Sequence, residues 1–566
     1  MPVSLITMNG LFANPAEQFL IPSYQRRYSW GSLQVKELID DVMESDIQDG
    51  HLLGMIILHR YWDRNGFKID VVDGQQRLTT ISLILKAMAN TYRDRNIQNN
   101  GVIASQIERL LSCQNLQAVS FPKIVLGNLD NNDYENIING INLILDNRKL
   151  EEVTLWLNNK FNTFSDNELN DFHNRFLNSA QIIKLDVDNI IDANKLFETF
   201  NNRGLPLTKT DIIKNLIFGE AARLNNLDVY ETVKTVWTDI IYALDNLGKE
   251  DDFFRRFISS VIPAKVSERR LIERFKEHLR ELLNIHNADL NAKGQALMSF
   301  LEEIFTTSLE YRKIVKAQYT NIAVNKEIIT LNAIKGDNTY VFLMQFMQKD
   351  VTNVLKIDVI KKVTTLMLRR HICKRQTGAN EQIFVSLIQT LKHIDDNNIN
   401  QFNIDLDVIL TRNKHYPTDI QFRNYLNDFT LENRTEKRAK VFLERFNTTL
   451  NQNIPEDTTA SELFHIVPED FNIDGNGLQW QAYLNGQTVA PFINRLGNLT
   501  LKHPNDITYG VGNHGNIYQH LIASFDNSPL GINRSLKHNF PNNFGPNEIN
   551  NREIEIINEV VRYWSL

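Results

Sequence analysis

Two sets of residues in this chain could do chemistry on phosphates. The first centres on Asp73-Gly74-Gln75-Gln76-Arg77, between the apolar run Ile69-Asp70-Val71-Val72 and the run Leu78-Thr79-Thr80-Ile81-Ser82-Leu83-Ile84-Leu85. A short strand that ends in Asp-Gly and opens a helix leaves unpaired backbone N–H groups at the helix start, where the helix dipole also favours an anion. Gly74 lets the backbone approach a ligand, Arg77 can fork onto phosphate oxygens, and Asp73 can hold Mg²⁺ or polarise a water. A plainer reading, a polar turn with Asp73 capping the helix, fits the same residues equally well.

Two further stretches extend this set. Ile21-Pro22-Ser23-Tyr24-Gln25-Arg26-Arg27-Tyr28-Ser29-Trp30 combines stacking faces with adjacent guanidinium forks and could close over a nucleotide. Its bland alternative makes Tyr28 and Trp30 core anchors and leaves the arginines in solvent. From Phe197 to Asn215, polar groups gather in a loop between a helix that Asn201 and Gly204 can end and one that Thr208 or Thr210 can cap, with Asp211 in its first turn. Alone, that stretch reads as an ordinary capped corner.

The second set lies near the end. Glu462-Leu463-Phe464-His465-Ile466-Val467-Pro468-Glu469 places His465 at the close of a strand-like run, and Arg495-Leu496-Gly497-Asn498-Leu499-Thr500-Leu501, Asn505 and Asn513-His514 follow. A histidine ending one strand, with asparagines on a later strand and helix, suits a ββα-metal nuclease. There His465 takes the proton of the water attacking phosphorus, with Asn498 and Asn505 near one Mg²⁺ or Mn²⁺. A lone histidine in such a setting more often donates to a backbone carbonyl. Upstream, Arg369-Arg370-His371-Ile372-Cys373-Lys374-Arg375 holds no acid, so Arg369, Arg370, Lys374 and Arg375 could ride on a DNA backbone.

The elements that must position these residues follow from periodicity. Leu33 to Met43 has helical spacing, Leu52 to Leu58 and Phe67 to Val72 read as strands, a helix runs on to about Tyr92, and Gln181 to Val187 is a further strand. Together they make a small mixed α/β unit. From about 220 to 450 the chain reads as almost wholly helical, with Phe422, Tyr425, Phe442 and Phe446 as core stripes. At 566 residues the chain is too long for one core, so two or three domains are expected. A net charge of −7 denies a uniformly basic surface, so DNA contact must come from local basic faces. Cys113 and Cys373 are the only cysteines, which excludes a disulfide scaffold and a cysteine-based zinc site. No apolar stretch approaches the roughly 20 residues of a membrane span, and the first residues lack signal-peptide character; no membrane partner and a cytoplasmic location are the expectations. An ordinary P-loop sequence is absent.

In this order, Pro22 to Trp30, Asp73 to Thr80 and Phe200 to Asp211 resemble the N-terminal module of the GmrSD family, a DUF262 domain. His465 with Gly497-Asn498-Leu499-Thr500-Leu501, and Arg369 to Cys373 upstream, is similar to DUF1524, an HNH nuclease module that follows DUF262 in fused GmrSD-type proteins. The resemblance implies an α+β, predominantly helical chain: a ParB/sulfiredoxin-like α/β domain over 1–225 that binds and hydrolyses nucleotides, a helical connector over 226–350, and a C-terminal helical domain over 351–566 carrying an HNH (ββα-metal) motif. By motif match it makes Tyr24, Gln25, Arg26, Asp73, Gly74, Gln75, Gln76, Arg77, Asn201 and Arg203 nucleotide-binding.

The implied activity is that of an antiphage, modification-dependent (Type IV) restriction endonuclease or nickase, regulated by binding or hydrolysis of a nucleoside triphosphate (GTP, ATP or a pyrimidine nucleotide). Its partner would be double-stranded, modified phage DNA, its ion Mg²⁺ or Mn²⁺, with a homodimer among the open oligomeric states. One departure stands out: the family commonly has an acid before the histidine, where this chain has Phe464, with Glu462 or Glu469 as candidate substitutes. The segment after Lys502 also departs, offering His503, His514 and His520. Two other readings therefore stay open, a nucleotide-gated DNA-binding sensor with a degenerate nuclease site and a phosphohydrolase acting on free nucleotides.

Overall fold

A computed structural model describes residues 3–45, 50–63, 66–95, 100–114, 119–141, 144–189, 208–248, 250–286, 289–412, 414–450, 460–469, 477–504, 506 and 516–566. The chain is mostly helical with a small mixed sheet, an α+β arrangement. It divides into two compact units: residues 1–254 with 268–309, and residues 255–267 with 310–566. The stretch 226–350, expected as a connector, gives residues to both. Among the described residues no helix is long and apolar enough to cross a membrane.

The first unit is built on a six-stranded sheet of β1 (Val3–Thr7), β2 (Phe19–Leu20), β3 (His51–Asp63), β4 (Gly66–Asp73), β5 (Ile124–Val125) and β6 (Ala180–Val187), in the order β1-β6-β3-β4-β2-β5. The hairpin β3–β4 is antiparallel with Ile57 opposite Asp73, whereas β3 runs parallel to β6 and β2 parallel to both β4 and β5. Helix α1 (Ser32–Glu44) buries Val35, Leu38, Ile39 and Val42, the spacing of one helical stripe. Helix α2 (Gln75–Asp94) is buried almost all round, which explains why its sequence lacks a polar face.

Strand β4 therefore ends, and α2 begins, where the sequence places the turn. Gly74 is the N-cap of α2 with φ of 90° and no side chain caps the helix, so Asp73 does not serve as the cap. A Cβ at Gly74 would sit 2.6 Å from Ile56 Cγ2 and 3.1 Å from Met55 O. Gly74→Ala is accordingly expected to cost about 2–4 kcal/mol, from left-handed strain plus overpacking against β3, read as a lower midpoint in denaturant. An unchanged midpoint would mean that the turn relaxes freely.

In the second unit, helices surround a two-stranded antiparallel sheet of β7 (Glu462–His465) and β8 (Leu499–Lys502), paired with Leu499 opposite His465. Phe422, Phe442 and Phe446 are buried as expected, but Tyr425 is 41% exposed. The buried stripe of its helix is Phe422 with Leu426, four apart, and Tyr425 falls one step off it.

Candidate functional sites

The turn after β4 gathers the first two motifs and part of the third. Gln76 accepts from Ser29 N (2.8 Å) and donates to Arg27 O (3.1 Å), and Gln75 donates to Arg26 O (3.4 Å). The two glutamines thus staple the Tyr24–Trp30 loop to the start of α2. Arg77 lies along the β3 bulge: its Nη1 donates to Met55 O (2.8 Å), and Gly54, with φ of 107°, leaves the space its guanidinium fills. Burial lowers the Arg77 pKa and Asp73 opposes that, while burial raises the Asp73 pKa against the pull of the Gly74 N–H and of Arg77.

Helix α3 (Lys209–Arg223) supplies the other half. Thr208 caps it by accepting from Asp211 N, settling which of two threonines does so, while Thr210 donates to Asp251. Lys214, one turn on, donates to Gln25 Oε1 (2.6 Å), and Gln25 Nε2 donates to Val72 O (3.0 Å). Asp211 lies between Arg26 (3.4 Å) and Lys214 (3.9 Å). Burial lowers the Lys214 pKa, chiefly against the pull of Asp211. Lys214 escaped sequence reasoning as a site residue because a lysine beside apolar neighbours carries no signature of its partners.

These contacts sort the expected nucleotide ligands. Gln25 and Gln76 use both ends of their amides internally, and Arg77 spends its Nη1 on Met55 O. Tyr24 is buried with its ring 5.1 Å from that of Phe218 and the ammonium groups of Lys214 and Lys234 5.8 and 5.9 Å from its centroid, so it has no face for a base. Asn201 and Arg203 lie outside the described residues. Arg26, by contrast, is partly exposed and lines a cleft of about 810 Å³. Arg27, Arg148 and Lys149 share that cleft, and its acids, among them Asp245, Glu250 and Asp251, outnumber the bases. Burial, and then Asp211, push the Glu250 carboxyl up to about 7. Arg27 is less free than Arg26, being held by Asp130 (2.7 Å), Asp146 (2.9 Å), Asp245 (3.2 Å) and Leu129 O (2.9 Å).

In the second unit, His465 is half-buried at the end of β7, and its Nε2 is 2.9 Å from Asn494 Oδ1. Asn494 Nδ2 points at Glu469 Oε1 (3.4 Å), which orients the amide with its oxygen toward the imidazole. Nε2 then carries the proton and Nδ1 keeps the lone pair. Phe464 faces the opposite side of the strand and packs against the unit's apolar cluster, edge-on to Phe525.

Asn498 departs from expectation. It is fully buried; its Oδ1 accepts from Val467 N (2.9 Å) and its Nδ2 donates to Val467 O (2.8 Å) and Ile493 O (2.9 Å). Its amide is a clamp between β7 and the turn before β8, fully buried with both ends bonded to backbone. The turn is also held by the buried Arg552, whose Nη1 donates to Gly497 O (2.7 Å) and Leu499 O (2.6 Å), from helix α4 (Pro546–Tyr563). Asn505, Asn513 and His514 lie outside the described residues, and among the described residues no three His, Cys, Asp or Glu side chains gather as a metal site. No step through a metal follows for His465 from these neighbours.

Comparison with protein families settles the relationship. The GmrSD restriction endonuclease N-terminal domain matches residues 8–218, and the C-terminal domain of GmrSD restriction endonucleases matches residues 416–558. The chain belongs to the GmrSD restriction endonuclease family. Membership supports a DNA endonuclease role, with DNA as partner. No individually curated protein matches the chain. The GmrSD N-terminal match spans the β4–α2 turn and Lys214, and the C-terminal match spans His465, Asn494 and Arg552.

For a GmrSD chain the basic run 369–375 is the obvious place to seek DNA contacts, yet half of it points inward. Arg369 is fully buried between the rings of Tyr416 and Phe422, donating to Pro417 O, Asp419 and the backbone of Trp564. Arg370, also buried, donates to Asn380 Oδ1 and His415 O. Both guanidinium groups are spent inside the unit and cannot track a DNA backbone. Lys374 and Arg375 are exposed.

Proposed function

We propose that the chain is a nucleotide-gated endonuclease for modified DNA. His465 acts as the general base for water attack on phosphorus, and the cleft beside Arg26 receives the triphosphate of a controlling nucleotide. The single observation that carries the cutting half is the Glu469–Asn494–His465 chain, because it leaves Nδ1 as the basic nitrogen on a half-exposed ring at a strand end. Unlike most histidines, this one spends its proton on a side chain that is itself oriented. For the nucleotide half, the supporting feature is a partly exposed arginine that lines this cleft.

A divalent ion suits this cleft. The acids exceed the bases, so a free polyphosphate would meet uncompensated negative charge. An ion held by phosphate oxygens, water and the carboxylates that line the cleft would, when bound, neutralise charge between carboxylates and phosphates. Arg26 would then meet the phosphates directly. Arg26→Ala is expected to weaken nucleotide binding about 10- to 100-fold, the worth of a charged hydrogen-bonding group, and to remove any nucleotide effect on cleavage. Titration calorimetry with each of the four ribonucleoside triphosphates and Mg²⁺ measures the first. Nicking of modified and plain DNA, with and without nucleotide, measures the second. DNA left intact under every condition would overturn the endonuclease reading.

A second reading has one observation in its favour. With Asn498 fully engaged, the cutting site has lost one expected ligand, which suits a DNA-binding sensor that recognises without cutting. It would bind DNA with an affinity that falls steeply with salt and leave it uncut at every Mg²⁺ or Mn²⁺ concentration.

A further inference from the structure

We propose that Lys214 is a positioning residue that frees Arg26 for a polyphosphate by keeping Asp211 neutralised from behind. This rests on the nucleotide reading above and adds how the site releases its own anion-binding group. Asp211 is 7% exposed, and among the described residues two cations flank it. Arg26 Nε lies 3.4 Å from one carboxylate oxygen on the cleft side, and Lys214 Nζ lies 3.9 Å from the other. A buried carboxylate stripped of its last cation is heavily penalised, so Arg26 can turn to phosphate oxygens only while a second cation stays in place.

Lys214 is built to stay. It is 5% exposed, its Nζ donates to Gln25 Oε1, and Gln25 is tied through Val72 O to the end of β4. The charged groups facing it are Asp211, Asp73 and Glu250, which favour its ammonium form, and Arg26, which opposes it. When Arg26 leaves for an anion, its repulsion of Lys214 falls and the Lys214–Asp211 attraction is no longer shared. The arrangement lets two cations exchange one carboxylate without leaving it bare. Positions three apart on a helix lie side by side, which is how Lys214 reaches Asp211 from one turn on.

Calorimetric titration of the full chain tests this, with inorganic triphosphate plus Mg²⁺ and, separately, with GTP, ATP, CTP and UTP. For whichever probe the wild type binds, K214M is expected to weaken binding at least about tenfold, or roughly 1.4 kcal/mol. K214R should stay within about threefold, the double variant K214M/D211N should return to near wild-type affinity, and D211N alone should bind more tightly than wild type. A lysine that merely props up the helix would lower the melting temperature without any rescue by D211N. Failure of that rescue in a folded double variant overturns the proposal, as does D211N binding no more tightly. If K214M does not fold, K214R and D211N still decide. A wild type that binds none of the probes removes the nucleotide reading itself, an outcome distinct from one in which the wild type binds and K214M binds equally well.

Discussion

His465→Ala is expected to slow DNA cleavage about 100- to 10,000-fold, the usual worth of a positioned general base, while leaving the melting temperature within a degree or so of wild type. The ring is half-buried at a strand end and its one described side-chain partner, Asn494, can keep its bond to Glu469, so the truncation removes chemistry and little packing. Asn494→Ala should produce a smaller loss of the same kind, because the imidazole remains and loses only the partner that fixes its orientation and tautomer. Plasmid nicking rates for the three proteins, measured beside their melting curves, provide the comparison. A His465→Ala protein that cuts as fast as wild type would remove the histidine from the reaction and leave the sensor reading standing.

Gly497→Ala is expected to be severe for a different reason. A Cβ there would lie 2.0 Å from Ile549 O and 3.0 Å from Glu553 Cβ, so the turn before β8 must lift away from α4. That movement would break the bonds from Arg552 to Gly497 O and Leu499 O and leave a buried guanidinium without those partners, which puts the cost at the exceptional end, about 4 kcal/mol or more. For a unit of this size the expected fall in melting temperature is about 8 °C or more. Nuclease activity should be lost in parallel, since Asn498 on the same turn holds Val467, two residues after His465. A normal melting curve with lost activity would show instead that the Gly-Asn turn touches the reacting groups.

The two substitutions separate what a motif says from why it is there. In Arg495-Leu496-Gly497-Asn498-Leu499-Thr500-Leu501 the glycine is required by a carbonyl approaching from α4, the asparagine by two backbone segments, and Arg495 pairs with Glu553. The motif is a matter of architecture, and His465, the proposed base, stands on the neighbouring strand. The same holds at the first site. The glutamines of Asp73-Gly74-Gln75-Gln76-Arg77 fasten a loop, and Arg77 fills a bulge, so the group left facing the cleft is Arg26 from another motif.

Features set by interactions within about one helical turn or along one strand were legible in the sequence. The strand, turn and helix around Gly74 and the buried stripe of α1 depend on neighbours a few residues apart, and periodicity reports those directly, whereas the cap of α3 was narrowed only to Thr208 or Thr210. The family was legible too, because its motifs are linear. Which polar groups remain available was not. Asn498 meets Val467 across 31 residues, Gln25 meets Lys214 across 189, and Arg369 meets Trp564 across 195. A guanidinium, ammonium or amide reads alike in the sequence whether it faces a ligand or a carbonyl. Only packing, by burying each group beside a particular partner, decides which of them are spent holding the fold and which stay open to phosphate.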